Sequence, residues 1–439
     1  MGEVLKSSPK QMRLHKRKDA GKMTKYLEDK RASLILVVVC FITYAIIGLT
    51  RNAYSAAIAG IVSEGYFSKS QAGVIATSFN ITYCLSQIVG SYFVDKVSPF
   101  KIILLGTIVT IFANVAMSIN PTYWVIFIAR GVCGVAQFGI WPALLRILSE
   151  YVNKDHRGTW RYILPLGITV GSIISYLGAA MVSNWRGLFT LAYISMAVAT
   201  VIFMITVVYA KKKAVTKTIE IPTEKTPEKN TDVAGENISG FKLLAMSGAF
   251  LYIIPIFVRS LISGGIGSWM PTMIMESYGV SPEISSLMTT ISTIANLAAV
   301  VWVILLYPRV FKLQTTAVGM LFLFTVPFLA ASAFIGGIPM IFIVLFITVT
   351  NTFKGSIHQF NTVEIPAAYT KYNKAGMIAG LINSVATAAG IISSWLWGFM
   401  AENYSWNIII IMWTVMALLA AVCCFIMTPK WKKFVKNRF

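Results

Sequence analysis

The sequence predicts an all-α membrane protein of about twelve transmembrane helices in two six-helix bundles. Three observations lead there. The chain is 56% hydrophobic and only 13% charged over 439 residues, with a mean hydropathy of +0.70. A soluble domain carries about twice that share of charged residues. Apolar runs recur with the length that one crossing needs, about 20 residues for a hydrocarbon core of about 30 Å. One long polar stretch, Lys211 to Lys242, divides them six and six. The runs are continuous, whereas a β-barrel strand alternates apolar and polar residues over about ten positions.

Taken in order, the first span runs from Ser33 to about Ile61, the second from Gln71 to Val94 and the third from Ile102 to Ile119. The fourth covers Tyr123 to Leu148, the fifth Trp160 to Val182 and the sixth Leu188 to Ala210. After the polar stretch come Leu243–Met275, Ile284–Leu306, Thr315–Ile335, Ile338–Phe360, Ala375–Met400 and Trp406–Met427. The expected organisation is therefore a basic tail over residues 1–31, a first bundle over 32–210, a linker over 211–242, a second bundle over 243–428 and a basic tail over 429–439. The linker is rich in Lys, Glu, Thr and Pro, a composition too polar to bury a core of its own.

Charge orients the spans. Met1 to Arg31 carries ten Lys/Arg against four Asp/Glu, and Lys430 to Phe439 carries five against none. Asp95–Lys101, Lys154–Arg161, Arg309–Lys312 and Lys371–Lys374 are basic loops on the same side as both tails. By the positive-inside rule that side is cytoplasmic, which places both termini there in a multi-pass cell-membrane protein. The net charge of +21 thus belongs to topology and membrane lipid, not to nucleic acid. The N-terminal tail has no apolar core and is not a cleaved leader. Cys40, Cys84, Cys133, Cys423 and Cys424 all fall inside apolar runs without disulfide or metal spacing, so they read as packing residues. No cofactor or metal is expected, and no enzyme motif occurs at a sensible membrane depth.

Between the second and third spans the chain reads Gly90-Ser-Tyr-Phe-Val-Asp95-Lys96-Val-Ser-Pro-Phe-Lys101. This resembles the loop signature of the major facilitator superfamily: a glycine, an aspartate five residues on, then basic residues. Gly90 permits close helix approach. Asp95 can meet a helix N-terminus, and Lys101 can reach carboxylates or lipid headgroups. In the matching stretch of the second half, Val301 to Lys312, the acid is replaced by Leu306. The fourth span contains Arg130-Gly-Val-Cys-Gly134-Val-Ala-Gln137-Phe-Gly139-Ile-Trp141-Pro142 and closes at Glu150 before His156-Arg157-Gly158. It is similar to the organophosphate:phosphate antiporters and the related anion:cation symporters. The resemblance implies a monomeric secondary transporter working by alternating access.

Charges inside the membrane point to the solute. A charge at mid-depth is expensive, so each is a site hypothesis. Arg51, Arg259 and Lys354 lie deep in spans one, seven and ten, and Arg130 lies shallower in span four. Few carboxylates offset them, so the bound solute is expected to be an anion gripped by guanidinium forks. Arg51 stands in Tyr44-Ala-Ile-Ile-Gly-Leu-Thr-Arg51-Asn52-Ala-Tyr54-Ser55, similar to the first helix of the organophosphate antiporters. There the resemblance implies that the arginine followed by asparagine binds phosphate. Arg259 precedes Trp269-Met-Pro271-Thr272, but the family's arginine position is filled by Ser263, one turn away. Lys354 and His358 share a face of the tenth span.

The expected substrate-binding set is therefore Arg51, Arg259, Lys354, Tyr44, Asn52, Tyr54 and His358. The expected gating and structural set is Gly90, Asp95, Lys101, Arg130, Gln137 and Trp269. Positions where the symporters place proton-handling acids read Thr50 and Gln137, and the fifth-helix histidine position of the phosphate antiporters reads Ile168. The leading expectation is a carrier of a small organic anion, an organophosphate or carboxylate, with inorganic phosphate or a proton as coupling ion. A proton-coupled sugar-acid symporter and a transporter-like membrane sensor are the alternatives.

Overall fold

Within a bilayer each backbone N–H and C=O must be satisfied by the chain itself, so long apolar runs resolve as helices. The computed structural model describes residues 23–94, 96–182, 184–218, 240–297, 310–311, 313–372 and 374–436. In the first half the helices are α1 (Lys30–Ser63), α2 (Lys69–Val94), α3 (Pro99–Ile119), α4 (Tyr123–Gln137), α5 (Ile140–Glu150), α6 (Lys154–Ile163), α7 (Leu166–Met181) and α8 (Trp185–Lys213). In the second half they are α9 (Gly240–Ser247), α10 (Ala249–Tyr278), α11 (Pro282–Ala295), α12 (Gln314–Ser332), α13 (Met340–Gln359), α14 (Ala375–Asn403) and α15 (Trp406–Lys436). Among the described residues nine helical segments are long and apolar enough to cross a membrane, α4 with α5 counting as one. Of the other expected spans, α2 and α11 are rich in Ser and Thr, and α7 is a shorter apolar helix.

Three expected spans differ in detail. The fourth breaks at Phe138–Gly139 into α4 and α5. The fifth starts later than Trp160, because Pro165 cannot donate a helical N–H and separates α6 from α7. The seventh is interrupted at Gly248, whose φ of 75° is left-handed and favours glycine. The expected eighth span, Ile284–Leu306, is described only as far as residue 297, and Asp95, Lys312 and most of the polar stretch between the halves lie outside the described residues.

In the first half α1 packs on α7 and α8, α2 on α4, and α3 on α4 and α8. Small residues set the α1–α7 distance: a methyl on Gly171 would sit 2.0 Å from the Ala45 carbonyl. In the second half α10 packs on α14 and α15, and α12 on α13 and α15. Its core holds Trp397 edge-on to Trp413 at 5.5 Å, with Trp397 Nε1 donating to the Leu261 carbonyl at 2.9 Å. The halves meet along α2–α14, α7–α11 and α1–α10.

The described start of the polar stretch after α8 is regular in structure. Lys211–Lys213 complete α8, and β2 (Val215–Thr218) pairs antiparallel with β1 (Met23–Tyr26). The ribbon joins the N-terminal segment to the end of the first half. Leu27 N–H then donates to the Tyr151 carbonyl at 3.1 Å, and Asp29 caps α1.

Candidate functional site: a cation-rich cavity between the halves

The two halves are closed against each other at the end remote from the chain termini. There Lys69 Nζ lies 3.0 Å from Glu276 Oε1, and Glu402 accepts from Ser68 Oγ at 3.0 Å and from the Ser70 N–H at 2.8 Å. Deeper in, Thr77 Oγ1 donates to the Ile391 carbonyl at 3.3 Å and Asn80 Nδ2 to Ser394 Oγ at 3.1 Å. The Tyr176 hydroxyl donates to the Gly267 carbonyl, tying α7 to α10. This seam depends on missing side chains. A methyl on Gly73 would stand 2.6 Å from the Ser394 carbonyl, and one on Gly398 2.6 Å from the Lys69 carbonyl.

Beneath the seam lies a cavity of about 490 Å³ lined by both halves. The first half contributes Arg51, Asn52, Phe79, Asn80, Arg130 and Ser172. Arg51 extends from α1 with its guanidinium carbon 4.8 Å from the Tyr83 ring centre and 5.5 Å from that of Phe79. Its Nε donates to Gln137 Oε1 at 3.3 Å, and Gln137 Nε2 donates onward to Thr50 Oγ1 at 3.3 Å. Arg130 of α4 is only 3% exposed. Its guanidinium carbon lies 4.7 Å from the same Phe79 ring, and Nη1 donates to the Arg51 carbonyl at 3.2 Å. Its Nε has no partner. Two guanidinium groups therefore share one aromatic ring. Each cation–π contact stabilises by about 0.5–2 kcal/mol, but an aromatic ring neutralises no charge.

Among the described residues, the second half contributes one lining cation and many neutral polar groups. Arg259 of α10 lines the cavity, and its Nε donates to the Lys354 carbonyl at 3.4 Å. Around it stand Ser260, Ser263, Thr293, Asn296 and Asn351. Asn351 Nδ2 donates to Ser292 Oγ at 2.6 Å, while Ser260 Oγ is buried without a partner. Among the described residues, no salt bridge reaches Arg51, Arg130, Arg259 or Lys354. Unneutralised buried cations are costly, so the cavity has the charge of an anion receptor. Among the described residues there is no cluster of three side chains able to hold a metal.

The structure brings together some of the residues singled out in the sequence and leaves others apart. Arg51, Asn52 and Arg259 line the cavity, and so does Arg130, which was expected in a gating or structural role. Gln137 is buried beneath Arg51 and orients it. Tyr44 and Tyr54 lie off the cavity wall. Tyr44 stacks on Trp141 at 5.2 Å, and the buried Tyr54 hydroxyl donates to the Ala72 carbonyl at 3.1 Å. Lys354 and His358 are not among its lining residues: Lys354 is buried, with its carbonyl accepting from Arg259 Nε, and His358 follows it by one turn at the end of α13. Trp269 is fully buried and donates to the Ser394 carbonyl at 3.4 Å, behind the seam. A methyl on Gly90 would fall 1.8 Å from the Phe138 ring, so its close approach is to the break in the fourth span. Lys101 is exposed in the first turn of α3, and Asp95 lies outside the described residues.

Sequence reasoning about charges missed the neutral wall. Thr289, Ser292, Thr293 and Asn296 recur at helical spacing along one face of α11, and that periodicity was available to be read.

A multi-pass helical membrane protein whose two halves enclose a central polar cavity is built as a solute transporter, not as an enzyme. The chain belongs to the Major Facilitator Superfamily, whose family model matches residues 40–392. It is 27% identical over 150 residues to a probable hexose phosphate transport protein of Chlamydia trachomatis, a match covering 34% of this chain and 33% of that protein. Thus the chain matches about a third of that relative's length. It is 23% identical over 396 residues to the glycerol-3-phosphate transporter of Bacillus subtilis, covering 86% of this chain and 88% of that one. Among solved structures it is similar in fold to a bacterial homologue of the human lysosomal transporter Spinster in an inward-facing, occupied conformation. There the TM-score is 0.70 at 13% identity, with 92% of this chain and 99% of that one covered.

Proposed function

We propose that the chain carries a small organophosphate across the cell membrane by alternating access, exchanging it for inorganic phosphate. The observation that carries this reading is the pair Arg51 and Arg130, unneutralised and facing a hydroxyl-rich wall across one cavity. In the bound state the phosphoryl group accepts from the Arg51 fork and from Arg130 Nε. Such charge-assisted hydrogen bonds contribute about 1.5–3 kcal/mol each. The organic part then lies against Ser260, Ser263, Thr293 and Asn351, whose hydroxyls and amide suit a hydroxylated carbon skeleton. Arg259 reaches the same cavity from the other half, so a bound dianion draws the halves together on the side now open. Closing that side strains the seam between α2 and α14, and the site becomes accessible from the opposite face.

The likeness to a glycerol-3-phosphate transporter and to a probable hexose phosphate transport protein supports a phosphate ester over a carboxylate. Thr50 and Gln137, standing where a symporter would hold acids, favour exchange over proton coupling. Both termini are read as cytoplasmic, which makes the open side of this conformation the inner one.

The test is counterflow in proteoliposomes. Vesicles loaded with phosphate should take up external glycerol 3-phosphate or a hexose phosphate with no imposed pH gradient. Strict dependence on a proton gradient would overturn the exchange reading. Saturable binding with no flux under any gradient would favour a sensor.

A further inference from the structure

We propose that the first half carries a second anion site, for a phosphate group, at the end of the molecule that bears the chain termini. A groove of about 510 Å³ runs between α5 and α6. Arg146 and Ser149 line it from α5, and Arg157 and Arg161 from α6, over a floor of Leu145 and Leu148. It shares no lining residue with the central cavity, and the proposal does not rest on the transported solute.

The three arginines differ in how far they are engaged. Arg146 Nε lies 3.3 Å from Glu150 Oε1, and Nη1 donates to the Val97 carbonyl at 2.9 Å, so it is held in place on α5. Arg157 Nη2 donates to the Val152 carbonyl at 3.0 Å, which fixes the guanidinium, while its Nε is buried with no acceptor. Arg161 is exposed at the rim. Among the described residues no carboxylate lines the groove, and Glu150 beside it is engaged by Arg146. An orphaned, immobilised Nε–H beside two further guanidinium groups matches a tetrahedral oxyanion that accepts several charge-assisted hydrogen bonds at once. The leucine floor adds an apolar surface next to it. A phosphodiester headgroup with an acyl chain would use both features, and free inorganic phosphate would use only the first. The shared chemistry is phosphate.

Two arms of one experiment separate the sources. The full-length protein is placed in phosphatidylcholine nanodiscs and titrated with radiolabelled inorganic phosphate by equilibrium dialysis. In parallel it is placed in nanodiscs containing a minor share of phosphatidylglycerol, and the retained lipid is counted by native mass spectrometry. Arg51→Lys, whose central site is weakened, should hold one equivalent in one arm that adding Arg157→Gln/Arg161→Gln removes, with affinity down by about tenfold or more. A response in the phosphate arm assigns the site to free phosphate, and one in the lipid arm assigns it to a headgroup. If that combined variant does not fold, the exposed single substitution Arg161→Gln, added to Arg51→Lys, carries the same test. Equal retention by Arg51→Lys with and without the added substitutions in both arms, or no equivalent in either, overturns the proposal.

Discussion

Adding one methyl group at Gly73 should open the seam that closes this conformation. The Gly73 Cβ would stand 2.6 Å from the Ser394 carbonyl and 3.2 Å from the Trp395 Cα, and both neighbours are backbone. Neither can rotate away, so α2 and α14 must separate locally or the halves must part. Overpacking of this kind costs about 1–3 kcal/mol. Within either half the cost falls equally on both conformations, but this contact exists only while the seam is closed. The whole cost therefore appears in the conformational equilibrium, as a shift of about 5- to 150-fold away from the closed seam. The assay is a distance distribution between spin labels at Asn120 and Gly337, both exposed at that end of the two halves, with the five native cysteines replaced. Gly73→Ala should populate a longer distance that wild type lacks. An unchanged distribution in a folded, monodisperse Gly73→Ala variant would refute the claim that the α2–α14 contact holds this end shut.

Four further outcomes follow from the same geometry. Arg51→Lys replaces a fork with a point charge and should cut organophosphate uptake by at least about tenfold while leaving membrane insertion unchanged, read as initial rate per inserted protein. Gln137→Leu removes the acceptor that orients Arg51 Nε and leaves buried groups unpaired; the loss of about 1–3 kcal/mol should appear in substrate affinity, measured by titration. Gly90→Ala drives a methyl into the Phe138 ring and should lower the thermal midpoint, and Phe138→Ala in the same chain should restore most of it. Lys69→Gln breaks a salt bridge whose side chains are 19% and 29% exposed, so it should move the conformational equilibrium by less than about 1 kcal/mol, and less still at high salt.

Much of the fold was legible because lipid leaves a chain few options. Apolar length led to the nine segments that are long and apolar enough to cross a membrane among the described residues, and one polar stretch led to the expected division into halves. What escaped was local. The fourth span breaks at Phe138–Gly139, beside Gly90, and hydropathy cannot register a tertiary contact. The β1–β2 ribbon pairs two four-residue strands far apart in the chain, too short to show a period. At the site, the search for buried charge led to Arg51 and Arg259, and both line the central cavity. It also led to Lys354, which is buried off the cavity wall and accepts from Arg259 Nε through its backbone carbonyl. Tyr54 follows Arg51 by one turn but turns its hydroxyl to the Ala72 carbonyl, a choice set by α2 and invisible along α1.

The central claim is that guanidinium groups in the cavity recognise a phosphoryl group, and a direct titration tests it. Purified protein is titrated calorimetrically with glycerol 3-phosphate and with glycerol, and the series is repeated with Arg51→Lys. The account predicts saturable binding of the phosphate ester, no measurable binding of the alcohol, and an affinity for the ester lower by about 10- to 100-fold in the variant. Equal binding of ester and alcohol, or an Arg51→Lys variant that binds the ester as tightly as wild type, would contradict it.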